Sequence, residues 1–169
     1  MPRLPRGVIL AVPGPGQESV WDYPRPPRLE ASGAHVLVVL GGVTVVDTRR
    51  ALRVLETSHP PTYYLPLADA DPAAFVPASG TSWCEWKSQA SYLDVMGGDQ
   101  RATAAAWTYL TPTPAFAALV DHVALYPGRM DRCTVDGEVV RAQDGEFYGG
   151  WVTDAVVGPF KGAPGSLGW

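Results

Sequence analysis

Cys84 stands between Trp83 and Trp86 in the run Thr81-Ser82-Trp83-Cys84-Glu85-Trp86-Lys87-Ser88, with Gln89, Ala90, Ser91 and Tyr92 following. A thiol attacks as the thiolate, and a nearby cation stabilises that form, so a cysteine among aromatic walls, a carboxylate and an ammonium suits tuned sulfur chemistry. A free cysteine also packs as a small hydrophobe, and spacing alone leaves that use open. On a regular strand over 82–87, Ser82, Cys84 and Trp86 share one face while Trp83, Glu85 and Lys87 share the other. Lys87 then reaches Cys84 only where the chain bends between Trp86 and Ser88.

Such a thiol needs an acid/base partner. His59 lies in a loop beside Pro60 and Pro61, where functional groups concentrate. His35 sits in an apolar run and His122 opens another, so both read as structural histidines. Glu56 is placed to orient His59 or bind a polar group, and equally to face solvent. Tyr63, Tyr64, Tyr92, Trp107 and Tyr109 offer apolar walls with polar tips, although core packing is the more common use of each. Arg50, within the cluster Arg49, Arg50 and Arg53, reads as a solvated edge or as a recognition point for one small anion. The candidate catalytic set is Cys84, His59, Glu56 and Lys87; the candidate ligand-binding set is Tyr64, Tyr92, Trp107 and Arg50.

Other chemistries are poorly supplied. Two cysteines far apart and three scattered histidines give no metal-binding spacing, so no structural zinc and no cofactor are expected. Lys161 follows a glycine-containing stretch, but the next residue is Gly162 and the phosphate-loop pattern fails. The glycines from Gly162 to Gly165 leave only an anion nest as a remote use. Asp69 and Asp71 resemble a metal-binding carboxylate pair, yet Asp71 before Pro72 reads better as the cap of a single helical turn.

The elements that must position these residues are mostly strands. Among 169 residues, 17 prolines and 18 glycines point to turns and extended segments, and 46% apolar content suffices for one core. A net charge of −4 argues against a nucleic-acid binder. The N-terminal apolar run breaks too early for a signal peptide, and no run approaches the ~20 apolar residues of a membrane span. A cytoplasmic protein with reduced thiols is expected.

Residues 1–34 read as an extended Pro-rich arm pinned by Trp21 and Tyr23, 35–143 as the β core, and 144–169 as a Gly/aromatic extension folding back. Gly41-Gly42 predicts a hairpin turn between 35–40 and 43–47, and Asp136-Gly137 another. Thr48 is expected to cap a short helix burying Ala51, Leu52, Val54 and Leu55, with Arg49, Arg50, Arg53 and Glu56 outward. Strands are expected over 62–65, 82–86, 90–95, 102–110, 122–126 and 132–135, with a short helix over 114–120.

The run Gly41-Gly42 through Asp47-Thr48-Arg49-Arg50-Ala51 and Val54-Leu55-Glu56 resembles the domain-of-unknown-function family 427. So do Tyr64-Leu65-Pro66, Cys84 with Lys87, Ala90-Ser91-Tyr92, Ala106-Trp107-Thr108-Tyr109 and Val135-Asp136-Gly137-Glu138. The tail Phe147 to Thr153 and Gly158 to Gly162 looks like that of one subgroup. Glu85 and Gln89 depart from the family's usual proline and glycine. The resemblance implies a mainly β, single-domain, tent-like fold with methionine sulfoxide reductase B-like topology, one or two short helices and no structural zinc. Its loose nucleotidyltransferase-like label finds no phosphate loop here, and fold does not carry function. Two functions are then open. One is an uncharacterised protein with a small-molecule pocket, acting as an enzyme through Cys84 with Glu56, His59 and Lys87. The other is a non-catalytic module whose arm and tail dock a partner or a second copy, with no nucleic acid or membrane involved.

Overall fold

Turn residues divide the chain into strands whose pairing, rather than local propensity, decides their form. The computed structural model describes residues 3–145 and 147–169. The first strands are β1 (Glu18–Ser19), β2 (Arg28–Ser32), β3 (Val36–Leu40), β4 (Val43–Thr48), β5 (Ala51–Leu55) and β6 (Thr62–Pro66). Three long ones follow: β7 (Phe75–Cys84), β8 (Ser88–Gly97) and β9 (Gln100–Thr108). The rest are β10 (His122–Leu125), β11 (Arg132–Val135), β12 (Glu138–Val139), β13 (Arg141–Ala142), β14 (Trp151–Val152) and β15 (Val156–Val157). Helical turns among the described residues are short 3-10 segments, the longest being Pro114–Leu119.

A seven-stranded sheet in the order β2-β5-β6-β10-β9-β8-β7 packs over a four-stranded sheet, β12-β11-β3-β4. The fold is therefore mainly β, as the turn-rich composition implies. Gly41 and Gly42, at φ 61° and 77°, close the β3–β4 hairpin, and Asp136 and Gly137, at 48° and 83°, close β11–β12. Both pairs have the positive φ angles of tight hairpin turns. β3 lies inside its sheet, in agreement with its weak alternation.

The segment after Thr48 is a strand, not the expected helix. Thr48 Oγ1 accepts the Arg50 amide at 3.0 Å, turning the chain instead of capping a helix. β5 then pairs with β2 on one edge and β6 on the other, so its backbone groups find ladder partners on both sides. Tertiary pairing overrides the helical pattern of Ala51-Leu52-Arg53-Val54-Leu55. Arg53 is correspondingly inward, paired with Glu30 directly across β2 and with Glu18 at 3.4 Å. Arg28 to Ser32, within the Pro-rich arm, thus form the sheet's edge strand. Asp71 accepts the Ala73 amide at 2.9 Å and closes a turn rather than a helix.

β7 is longer than its expected span because it occupies the sheet edge, where Pro77 and a register shift between Pro77 and Thr81 are tolerated. β9 carries a bulge of its own. Ala104 has φ 49°, and Asp94 holds it by accepting the Ala104 amide at 2.7 Å and the Arg101 guanidinium at 2.6 Å. These donors keep the Asp94 carboxyl below its usual range.

Period-two alternation sends Tyr63, Leu65, Val123 and Leu125 into the core between the sheets, beside Val36, Val38 and the fully buried Trp151 of the tail. The intervening Val54, Tyr64 and Ala124 face the other way, beneath Phe116 and Leu119 of the 3-10 segment. The arm packs through Val20 and Tyr23 against Leu55 of β5 and Val156 of the tail, and the Trp21 indole donates to the Pro159 carbonyl at 2.8 Å.

The Gly41–Gly42 turn meets the Gly97–Gly98 turn that joins β8 to β9. A Cβ on Gly41 would lie 1.9 Å from the Gly97 carbonyl oxygen, whereas one on Gly42 would meet open space. Gly42→Ala should therefore cost only the left-handed penalty of ~1–2 kcal/mol. Gly41→Ala adds a backbone clash and should cost on the order of 3 kcal/mol or more. Urea denaturation of the two variants checks the difference; equal losses would refute the close approach.

Candidate functional site

The register of the large sheet sets one row of side chains across its outer face. Leu52 pairs with Tyr64, Ala124 with Trp107, and Trp107 with Tyr92. The small Ala124 leaves space between Tyr64 and Trp107, whose indole N–H donates to the Tyr64 hydroxyl at 3.3 Å. Tyr109 stands 6.3 Å from Tyr64, ring centre to ring centre, and Tyr126 stands 4.8 Å from Trp107. Burial raises the Tyr64 and Tyr109 hydroxyls well above the ordinary phenol range, so both remain protonated donors.

The β7–β8 turn brings the thiol to the edge of this floor. Cys84 pairs with Ser88 across Glu85, Trp86 and Lys87, and Ser88 at φ 91° reverses the chain. This is the bend that Lys87 needs to share a side with Cys84. Ties to the 111–113 segment hold the turn: Thr113 Oγ1 donates to the Trp86 carbonyl at 2.6 Å, and Ser88 Oγ donates to the Thr111 carbonyl at 2.8 Å. Cys84 is half-buried, and Lys87 is buried with its ammonium 5.8 Å from the Tyr109 and Phe116 ring centres. Cys133, by contrast, is sealed in the core, and burial pushes its thiol up to about 12.

His59 closes the opposite wall. Gln143 accepts the Gly150 amide through Oε1 at 3.1 Å and donates through Nε2 to the Lys161 carbonyl at 2.6 Å. Those two backbone partners fix the orientation of the amide, which then also donates to His59 Nδ1 at 3.3 Å. A neutral His59 consequently carries its proton on Nε2, the nitrogen 3.6 Å from Glu56. Glu56 is itself paired with Arg25 at 3.2 Å. Burial lowers the His59 pKa to about 4; Glu56 opposes the shift, while Lys161, Arg25 and Lys87 add to it. The imidazole is neutral at pH 7, and its geometry makes it a hydrogen-bond donor through Nε2.

The tail supplies the roof. Gly149 crosses Trp107 so closely that a Cβ would lie 2.2 Å from the ring. Tyr148 meets His59 edge-on with 5.4 Å between ring centres, and Lys161 donates to the Trp169 main-chain oxygen at 2.9 Å. The cavity, open to solvent on one side, measures about 380 Å³ and is lined by Glu56, His59, Tyr64, Cys84, Lys87, Tyr92, Trp107 and Tyr109 from the core. Gln143, Tyr148, Gly149 and Lys161 line it from the C-terminal side, and the exposed Trp83 and Phe147 border it. A second hollow of about 500 Å³ beside Arg129 shares Tyr126, Gln143 and Tyr148 with it.

Seven of the eight sequence candidates thus meet around one space. Arg50 does not: its guanidinium is bound to Asp69 at 2.6 Å, and Asp69 also accepts the Thr48 hydroxyl at 2.7 Å. The Asp69 carboxylate serves this pair, and no group of three or more potential metal ligands occurs among the described residues. Sequence reasoning missed Gln143, Tyr126 and Lys161; the aromatic and glycine cluster from Phe147 to Trp151 was the available signal. His35 pairs with Asp47 at 2.7 Å, and His122 Nδ1 contacts the Val120 carbonyl, both away from the cavity.

A small mainly β domain with a roofed aromatic cavity on its large sheet is the class that fold and site define. The chain belongs to the family described as a domain of unknown function, DUF427, whose profile matches residues 28–136. None of the curated proteins matches it. The matched span carries the floor and the Cys84 turn, whereas Gln143, Tyr148 and Lys161 lie beyond it.

The His59 shift sets a pH dependence. The ordinary imidazole pKa is 6.5 and the folded value about 4, so between them the unfolded chain binds more protons. Stability should be full above pH 6.5 and fall by up to about 3 kcal/mol as pH drops from 6.5 to 4. Urea unfolding at pH 7, 5.5 and 4.5 checks this, and His59→Gln should flatten the profile in that window.

Proposed function

We propose that this protein binds a small organic molecule in the cavity over its large sheet and presents it to the Cys84 thiol. The observation that carries the reading is one space of about 380 Å³ in which an aromatic floor, a free thiol and a neutral imidazole converge. That volume is at the lower end of the ~300–1,000 Å³ range of ligand sites, and aromatic lining with a few polar groups is their usual composition. Tyr92 and Trp107, both partly exposed, give the ligand faces to stack on, with the buried Tyr64 behind them. His59 Nε2–H gives it a hydrogen-bond donor. Two free thiols fit a reducing compartment such as the cytoplasm.

An enzymatic role is the second reading, favoured by the position of Cys84 in the cavity lining. His59 then acts by hydrogen bonding to the ligand rather than as the base for Cys84, because Gln143 occupies Nδ1 and the proton sits on Nε2. A pure docking module is less favoured. Trp151 of the tail is in the core, and Trp21 of the arm is tied to Pro159, so both segments are engaged within the molecule.

Iodoacetamide labelling tests accessibility. One equivalent should add to the folded protein at Cys84, with Cys133 labelled only after unfolding, as read by peptide mass spectrometry. A bound aromatic fragment should slow Cys84 labelling, and Trp107→Ala should remove that protection. Equal protection of both thiols in the folded state, or fragment binding that leaves Cys84 labelling and the Trp107 indole resonance unchanged, would refute the reading.

A further inference from the structure

Lys87 is 9% exposed, lines the cavity, and has no hydrogen-bond or ion-pair partner for its ammonium among the described residues. The other cations near the site are engaged: Arg25 with Glu56, Arg53 with Glu18 and Glu30, and Lys161 with the Trp169 main-chain oxygen. Glu85, in the same turn, also borders the cavity, but it is exposed and forms no ion pair with Lys87. The Tyr109 and Phe116 rings attract the ammonium but accept none of its three N–H bonds in the manner of a carboxylate. Ser58 Oγ is the one fully buried side-chain polar atom without a partner among the described residues, so the Lys87 ammonium opens to the cavity's solvent and can take an anionic ligand group there. Among the charges acting on His59, Glu56 favours its protonation, whereas Lys161, Arg25 and Lys87 oppose it.

We propose that Lys87 is the anchor for an anionic group on the ligand, so that the cavity takes a flat organic monoanion: a carboxylate on an aromatic or conjugated frame. This rests on the ligand-binding reading above and specifies its chemistry. The carboxylate accepts from Lys87 Nζ at the β7–β8 turn, and the frame lies against the partly exposed Tyr92 and Trp107. One charge is matched because one ammonium lacks a partner; Lys161, across the cavity, is already occupied.

Isothermal titration with 2-naphthoate and its neutral isostere 2-naphthamide separates the outcomes. The carboxylate is expected to bind at least about tenfold more tightly, the factor that one charge-assisted hydrogen bond supplies. In Lys87→Met the two compounds should bind alike. Thermal unfolding without ligand gives a second readout: Lys87→Met should unfold at a temperature close to or above that of the unsubstituted protein, because the ammonium holds no hydrogen bond or ion pair within the fold. Equal affinity of the two compounds for the unsubstituted protein would overturn the anchor while leaving ligand binding intact. Binding of neither would overturn both, and a clear drop in unfolding temperature for Lys87→Met would show the ammonium satisfied within the fold and overturn the anchor.

Discussion

The strict alternation of side chains in the seven-stranded sheet is the constraint on which the site depends. Tyr63 and Leu65 face the four-stranded sheet, and Tyr64 between them faces outward. The same division operates on Val123, Ala124 and Leu125 one strand away. A shift of one residue in either strand would move the polar tip of Tyr64 into the dry core and turn Leu65 to the cavity. Asp94 guards this register in β8 and β9, because its bonds to Arg101 and Ala104 hold the bulge that precedes Trp107. A carboxylate outside the cavity lining thereby helps place the Trp107 ring within it.

The second requirement is the roof. Strands leave one sheet face open, and an aromatic face of this size would be exposed without a cover. The tail covers it by crossing Trp107 at Gly149, burying Trp151 and returning through Lys161. Gln143 connects floor and roof through three partners, His59, Gly150 and Lys161, and His59 in turn faces the Glu56–Arg25 pair. The tautomer of the imidazole is thus a consequence of how the tail docks. Burial among cations then keeps that imidazole neutral, which suits it to donate to a ligand.

Much of this arrangement was visible in residue order. Paired glycines and Asp136-Gly137 mark hairpins because few other residues adopt positive φ at both central positions of such turns. The Cys84 turn and the loop at His59 stood out because titratable and aromatic residues are concentrated there. The stretch from Ala51 to Leu55 misled, since its apolar spacing suits a helix as well as a strand. Arg50 misled for a related reason: an exposed arginine has no partner in sequence, and Asp69 is found only by folding.

Residue types and spacing alone therefore determined the mainly β class, two of the hairpin turns, and the two segments that supply the thiol, imidazole and aromatic floor. Those are local properties, set by backbone sterics and side-chain chemistry. Tertiary structure decided the helix-or-strand question at β5, the approach of Gln143 and Lys161 to His59, and the isolation of the Lys87 ammonium. Each of these depends on contacts between residues distant in the chain, and burial, counter-charge and hydrogen-bond satisfaction exist only once those contacts form.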